Sequence, residues 1–323
     1  MTLPKIDNLE LRKVTNDVLL IHQKKTPFYF SCCDGLIILP KRKRNKTAIA
    51  LDLNIEPILI DKIDEIFGPF NFYVCSHGHM DHMAHVHHWG TLGATIYAPK
   101  PESTYLLDLY NFYEGFGFNE QVSFTSIEKF AESNKYMPCK QVNDFSPGLS
   151  FKFENVVIET IPLVGHSKSH CGFFIPNEKI LHISCLGFDK PNPRSDGFGP
   201  WYGFKECSIS QYIKDIDLVE KLFLKRANYL TSSHSYVIKQ PDTTPFSYMR
   251  NKIKQNQEKV DQAIKSLKIT NQDEININEL LELDLFFPKK KLKGFILDLY
   301  RYWESIIIVK HLERSELIKV NKR

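Results

Sequence analysis

The run Phe72-Tyr-Val-Cys75, followed by His77-Gly-His-Met-Asp-His82, constrains this chain more than any other feature. The apolar run has the composition of a buried strand. Four residues of metal-ligand type occupy the six positions from 77 to 82. In an extended turn His77 and His79, two residues apart, point the same way, while Asp81 and His82 turn toward a second position at the start of a helix. One loop can therefore serve two neighbouring metal ions. Imidazole is the commonest protein ligand of zinc, and carboxylates complete hydrolytic sites that keep one position open for water. A His-rich solvated turn is the alternative, and His85, His87 and His88 do show a local excess. Distant partners argue against it: Gly165-His166-Ser167 follows the apolar run Val156 to Pro162, and His234 ends Ser232-Ser-His after Tyr229 to Ser233. Each lies just past a strand end, where one edge of a sandwich gathers such residues.

Strand signals dominate the first 240 residues. Leu9 to Val14, Asp17 to His22, Phe28 to Cys33, Leu36 to Leu39 and Thr47 to Leu53 are β-branched and aromatic runs separated by turn signals, which predicts an antiparallel meander. Glu56 to Phe67 carries Ile58, Ile60, Ile63 and Ile66 at roughly helical spacing, and Ser103 to Phe116 reads as a helix. A second set of strands follows at Leu149 to Phe153, Val156 to Pro162, Gly172 to Ile175 and Lys179 to Ser184, with a helix at Ile209 to Phe223 and a last strand at Tyr229 to Ser233. Two β-rich halves closed by helices predict an αββα sandwich of two mixed β-sheets flanked by helices. Past Gln240 the pattern turns helical, at Tyr248 to Leu267, Ile277 to Leu283 and Gly294 to Glu313. The expected division is 1–240 for the catalytic sandwich and 241–323 for a C-terminal helical cap, with a winged-helix-like form as the alternative.

HGHMDH resembles the His-x-His-x-Asp-His signature of the metallo-β-lactamase superfamily, Gly165-His166-Ser167 resembles its central Gly-His-Ser/Thr element, and Ser233-His234 is similar to its last metal-binding His. The likeness runs over about residues 10 to 240. It implies that His77, His79 and His166 hold one metal, that Asp81, His82 and His234 hold another, and that the ions are zinc, iron or manganese, with two zinc ions expected. It also implies a bridging Asp after a strand ending in Gly-Asp. This chain departs there, since Lys179-Ile-Leu-His-Ile-Ser184 is followed by Cys185. A thiolate is an excellent zinc ligand, a buried Cys without a ligand role is the second reading, and Asp189 reaching back is the third.

Asp81 is the expected residue for water orientation and proton transfer. His170 reads either as a group holding a ligand in its tautomer or as a plain core or surface His, and His182 as packing. Trp201 and Tyr202, in the Pro-, Gly- and aromatic-rich stretch 190–207, are candidate walls or donors for a substrate. Cys32 and Cys33 read as two small strand residues on alternate faces. The motif resembles that of hydroxyacylglutathione hydrolases and lactonases, so the expected activity is hydrolysis of a small thioester, lactone, ester or β-lactam. Three other readings stay open: cleavage of RNA or DNA, a mononuclear iron oxygenase acting on a thiol or persulfide, and a non-enzymatic binding protein.

Charge gives nucleic acid little support. The net charge is only +4, with Lys and Arg outnumbering Asp and Glu by 16 to 12 from residue 241 onward. The runs Lys41 to Lys46 and Lys289 to Lys293 keep that reading open. A charged N-terminus without an apolar core and seven scattered Cys predict a cytoplasmic protein without a disulfide framework. No run reaches the roughly 18 apolar residues of a membrane span.

Overall fold

Strands that must bury both faces read as unbroken apolar runs, and this chain opens with several. The computed structural model describes residues 3–28, 30–40, 48–186, 200–234, 237–269 and 275–317. β1 (Leu9–Lys13), β2 (Val18–Gln23), β3 (Gly35–Ile38) and β4 (Ala48–Leu51) pair antiparallel in sequence order, as the expected meander. Helix α1 (Pro57–Phe67), with Pro57 at its start, leads to β5 (Phe70–Val74), which runs parallel to β4. The short α2 (Met80–Met83) and α3 (Val86–Thr91) precede β6 (Thr95–Pro99). A 3₁₀ turn at Glu102–Leu106, α4 (Leu109–Gly115) and α5 (Phe124–Ser133) then lead to β7 (Asn143–Phe145), closing a seven-stranded sheet in the order β1 to β7.

The second sheet begins with β8 (Ser150–Phe153), β9 (Val156–Pro162), β10 (Cys171–Ile175) and β11 (Ile180–His182). After α6 (Ile209–Arg226) come β12 (Tyr229–Thr231) and β13 (Val237–Lys239), and the order is β13-β12-β11-β10-β9-β8. β11 pairs parallel with β12 and the other neighbours pair antiparallel, so both sheets are mixed, as expected. The tail holds α7 (Thr244–Ser266), α8 (Ile277–Leu281) and α9 (Phe295–Leu312), with no strand among its described residues.

Period-2 alternation assigns each strand face to a layer. Val18, Leu20, Leu36, Ile38, Ile49, Leu51 and Val74 meet Phe151, Ile158, Phe173, Ile175 and Ile180 between the sheets. The intervening Leu19, Ile21, Ile37, Ala50 and Tyr73, and likewise Phe174 and Leu181, face the helices. No helix among the described residues is long and apolar enough to cross a membrane.

One expected strand, Phe28 to Cys33, is not formed among its described residues: Phe28, Phe30 and Ser31 lie in bends and a turn, and Cys33 makes an isolated bridge to Asn54. Local bonds take over the backbone there, because Ser31 Oγ donates to the Phe28 carbonyl at 2.8 Å and Asn54 Nδ2 donates to the Ser31 carbonyl at 2.9 Å. Cys32 and Cys33 are thus not strand residues, and both lie near the site described below.

The tail joins the main core. Phe246, Met249 and Ile253 of α7, and Leu299, Tyr302, Trp303 and Ile307 of α9, pack in the same layer as the helices of the sandwich. Polar bonds fix this docking: Tyr302 Oη donates to the Phe116 carbonyl at 2.6 Å, Tyr202 Oη donates to His311 Nε2 at 2.9 Å, and Asn256 Nδ2 donates to Tyr202 Oη at 2.8 Å. His311 Nδ1 meets Gln257 Oε1 at 2.8 Å, an acceptor, so the proton sits on Nδ1 and Nε2 accepts from the tyrosine.

Burial pushes the His311 pKa down to about 4. The unfolded chain takes up this proton below about pH 6.5, whereas the folded chain resists it until about 4. The contribution is therefore intact above about pH 6.5 and declines as pH falls toward 4. His311→Gln is expected to flatten the pH dependence of urea stability in that window, by up to about 1.4 kcal/mol per pH unit relative to the parent.

Candidate metal centre

β4 and β5 run parallel, as do β11 and β12, and β9 lies two antiparallel pairings from β11, hence in the same direction as it. Their carboxyl ends carry Asp52, His77, Cys185, His234 and His166 in the segments just beyond. Gly165 is required at its turn, since a Cβ there would run into the backbone of Tyr212 on α6. Gly78 is held close as well: its Cβ would lie 2.7 Å from the Tyr105 ring.

His77, His79 and His166 converge. His166 Nε2 lies 3.2 Å from His77 Nε2 and 3.1 Å from His79 Nδ1. A tetrahedral ion with bonds of about 2.0 to 2.1 Å places its ligand nitrogens about 3.4 Å apart, close to both of these separations. Burial, reinforced by neighbouring imidazoles, holds all three pKa values well below the usual histidine range. They are neutral lone-pair donors. His166 Nδ1 donates to the Trp201 carbonyl at 3.0 Å, which leaves Nε2 bare. His170 packs beside His77 and His166 at ring separations of 4.8 and 4.7 Å and donates Nδ1 to the Leu163 carbonyl at 3.0 Å. It fills the space behind two donors.

A buried carboxylate ties the two histidine loops together. Glu102 Oε2 accepts the Gly78 amide at 2.7 Å and Oε1 accepts the Ser169 amide at 2.8 Å. Gly78 lies between His77 and His79, and Ser169 lies three residues after His166.

A second group adjoins the first. Cys185 Sγ lies 2.9 Å from His82 Nε2 and 3.1 Å from His234 Nε2, and His82 Nε2 is 3.6 Å from Asp81 Oδ2. His77, His82 and Cys185 share one cluster of donor atoms, and His77, His79 and His166 share another, so His77 belongs to both. Burial opposes charge on Cys185, yet His82 and His234 outweigh it and lower the thiol pKa. The same contact raises His234 to about 9 against the effect of burial. Negative charge is thus stabilised on Sγ, the ligand form of cysteine. Asp189 lies outside the described residues.

Asp52 organises this half and was not foreseen from sequence. Its Oδ1 accepts the Ser76 amide at 3.0 Å, and its Oδ2 accepts Ser184 Oγ at 2.7 Å, Ser233 Oγ at 2.9 Å and His82 Nδ1 at 3.0 Å. Burial alone would raise its pKa, but His82 and His182 hold it well below the usual carboxylate range. His77 Nδ1, Ser76 Oγ and Ser184 Oγ follow at successive distances of 2.7 Å, so protons donated along the chain His77 to Ser76 to Ser184 end on Asp52. The Nε2 atoms of His77 and His82 are both left free for a metal. His182, expected to be packing, is buried, but its Nδ1 meets Thr231 Oγ1 at 3.0 Å and its Nε2 faces Ser233 Oγ at 3.3 Å.

The donors open into a cavity of about 130 Å³. His79, Asp81, His166, Cys185 and His234 line it together with Phe30, Phe112, Phe130, Trp201, Phe204 and Trp303. Trp201 is among the lining residues. Tyr202 is not: fully buried, it points its hydroxyl at α7 and α9. Cys32 also lines the cavity, and Cys33 Sγ lies 3.3 Å from His82 Nδ1. An acidic residue directly after the apolar strand Ala48–Leu51 was the one sequence signal for Asp52. Glu102, Cys33 and Trp303 had none.

No family model and no curated protein matches the chain. Solved structures do. A beta-lactamase domain protein from Burkholderia ambifaria superposes with TM-score 0.65 at 14% identity, covering 98% of this chain and 91% of its own. A metallo-beta-lactamase family protein from Thermus thermophilus gives TM-score 0.63 at 13% identity over 94% of this chain and 95% of its own. A metallo-beta-lactamase from Pontibacter korlensis gives 0.52 at 17% identity over 74% of this chain and 96% of its own. The chain therefore adopts the metallo-β-lactamase fold.

Asp52→Asn keeps the volume but weakens the acceptor for His82. Chelator competition is expected to show a 10- to 100-fold loss of metal affinity, with the far-ultraviolet circular dichroism unchanged.

Proposed function

We propose that the protein is a metal-dependent hydrolase that cleaves a small acyl compound, a thioester, lactone, ester or β-lactam, at a two-ion centre. The observation that carries this reading is the pair of adjoining donor groups sharing His77, several of whose members line an aromatic cavity. His77, His79 and His166 would hold one ion, and Asp81, His82, Cys185 and His234 the other. Three imidazoles with neutral donor atoms, and a second set containing a stabilised thiolate, suit zinc better than harder ions. A bound divalent ion supplies Lewis acidity and lowers the pKa of an adjacent water.

The chain's own groups supply the rest. Asp81 lines the cavity with its side chain about 20% exposed, so its carboxylate can accept a hydrogen bond from the attacking water and take its proton. Asp52 and the Trp201 carbonyl keep protons on the Nδ1 atoms of His82 and His166, away from the reacting side. The aromatic wall excludes bulk water and strengthens polar interactions in the cavity.

Nucleic acid is the weaker partner. Lys289, first of the second basic run, is buried against Glu304 and lies 2.8 Å from Asp284. The run Lys41 to Lys46 lies outside the described residues.

Elemental analysis after zinc loading is expected to give two ions per chain, falling to one in Cys185→Ala. Asp81→Asn should lower kcat for a hydrolysed ester or lactone at least about 10²-fold. Retention of two ions in Cys185→Ala would remove Cys185 from the ligand set, and absence of hydrolysis across thioesters, lactones, esters and β-lactams would overturn the reading.

A further inference from the structure

The three imidazoles of the first donor group come from two sheets. His77 and His79 follow β5 of one sheet, and His166 follows β9 of the other. Ladder bonds within either sheet therefore do not set the distance between them. Their ring nitrogens nevertheless meet at 3.1 and 3.2 Å. Something must hold the two loops in register to fractions of an ångström, because a metal tolerates little error in its donor spacing.

Glu102 is placed to do this. It is fully buried, and its two oxygens are divided between the loops, Oε2 taking the Gly78 amide at 2.7 Å and Oε1 the Ser169 amide at 2.8 Å. The first loop also lies directly on the turn that carries Glu102: a Cβ on Gly78 would come within 3.1 Å of Glu102 Cβ and 2.7 Å of the Tyr105 ring. The second loop is fixed at its other end, where Gly165 donates its amide to the buried Asp215 of α6 at 2.7 Å. Glu102 is thus the link between a loop anchored on α6 and the loop of His77 and His79. Asp52, which accepts from Ser76, Ser184, Ser233 and His82, shares neither of the two amide donors. The sheets are joined near the site without Glu102 as well, since the Cys171 amide donates to the Ser76 carbonyl at 3.1 Å.

We propose that Glu102 is a positioning residue for one ion of the two: by bridging the Gly78 and Ser169 amides it sets the separation of His166 from His77 and His79, and it leaves the ion held with Cys185 unaffected. This rests on the two-ion reading above. Hydrogen bonds to a carboxylate are shorter and stronger than those between neutral groups, so one anion gripping both loops restrains them more than two separate caps would. Groups that orient metal ligands from behind typically cost 10- to 100-fold in metal affinity when removed. Glu102 acts through the backbone of the loops, which is why no ligand-type spacing marks it.

Cobalt titration of the metal-free full chain against a chelator separates the two ions, because an ion bound by a thiolate shows a sulfur-to-cobalt charge-transfer band and one bound by imidazoles alone does not. Glu102→Gln keeps the volume but must turn its NH₂ group toward one of the two amides, setting donor against donor. The ion without the band is expected to bind about 10- to 100-fold more weakly in this variant. The ion with the band should keep its affinity, and the far-ultraviolet circular dichroism should not change. Glu102→Asp keeps the charge, is one methylene too short to reach both amides, and should show the same split; it carries the test where Glu102→Gln does not fold. Equal affinity in the parent and either folded variant, or equal loss at both ions, would overturn the proposal and leave the two-ion reading in place. A parent that binds a single ion without the band would overturn the two-ion reading, and Glu102 would then be judged by the affinity of that ion in the variants. A parent that takes up no ion lacking the band would overturn both.

Discussion

The carboxylate of Asp52 receives an amide, two hydroxyls and an imidazole from three segments, and those segments follow strands of both sheets. Ser76 and His82 follow β5 of the first sheet, whereas Ser184 and Ser233 follow β11 and β12 of the second. Apolar packing between sheets is non-directional and would allow them to slide by fractions of an ångström. Four hydrogen bonds converging on one anion would not. Each bond to a charged group contributes about 1.5 to 3 kcal/mol, and removal of the charge strands the donors. Asp52 itself sits at φ 56°, a left-handed conformation that Asp tolerates better than most residues.

What the sequence revealed divides along the same line. His77, His79, Asp81, His82, His166 and His234 were legible because each follows an apolar run and carries a ligand-type side chain, so position and chemistry are both local properties. The two-sheet architecture was legible for a similar reason, since strand runs and helical periodicity are local. Asp52 and Glu102 were not, because their roles exist only through partners far along the chain: Ser233 is 181 residues from Asp52, and Ser169 is 67 residues from Glu102. Phe28 to Cys33 was misread because its aromatic composition is overridden by hydrogen bonds from Ser31 and Asn54, the second of which comes from another segment. The strand β13 and the helix α5 went unread because their apolar residues are few: Val237, Ile238 and Lys239 make a three-residue edge, and α5 interleaves Phe, Ile and Ala with polar residues.

The tail changes meaning once its contacts are traced. Sequence alone placed a change of character near Gln240, and the small cluster of Val260, Ile264, Leu280 and Ile308 gives the tail some apolar contacts of its own. Yet the bond from Tyr202 to His311 fixes the stretch that also carries Trp201, whose carbonyl holds the tautomer of His166. One peptide bond separates the anchor to α9 from the carbonyl that orients a donor atom. A shift of the tail against the sandwich would be felt at His166 before any apolar contact was lost, because hydrogen-bond energy falls more steeply with geometry than burial does.

Cys185 is the residue at which this chain departs from the Gly-Asp expected of its likeness, and the surroundings explain how a thiol is accommodated. Ser184, just before it, is held at φ 50° by bonds to Asp52 and Ser76, so the backbone turns there before the side chain of residue 185 enters the site. The turned backbone delivers Sγ between His82 and His234 at 2.9 and 3.1 Å. A carboxylate offers two oxygens and can bridge two ions, whereas Sγ offers a single, larger and softer atom with bonds of about 2.3 Å to zinc. Because His82 is itself pinned through Nδ1 to Asp52, its Nε2 cannot swing away to make room for a different ligand. The spacing that admits a thiolate is thus set by the same buried carboxylate that joins the two sheets.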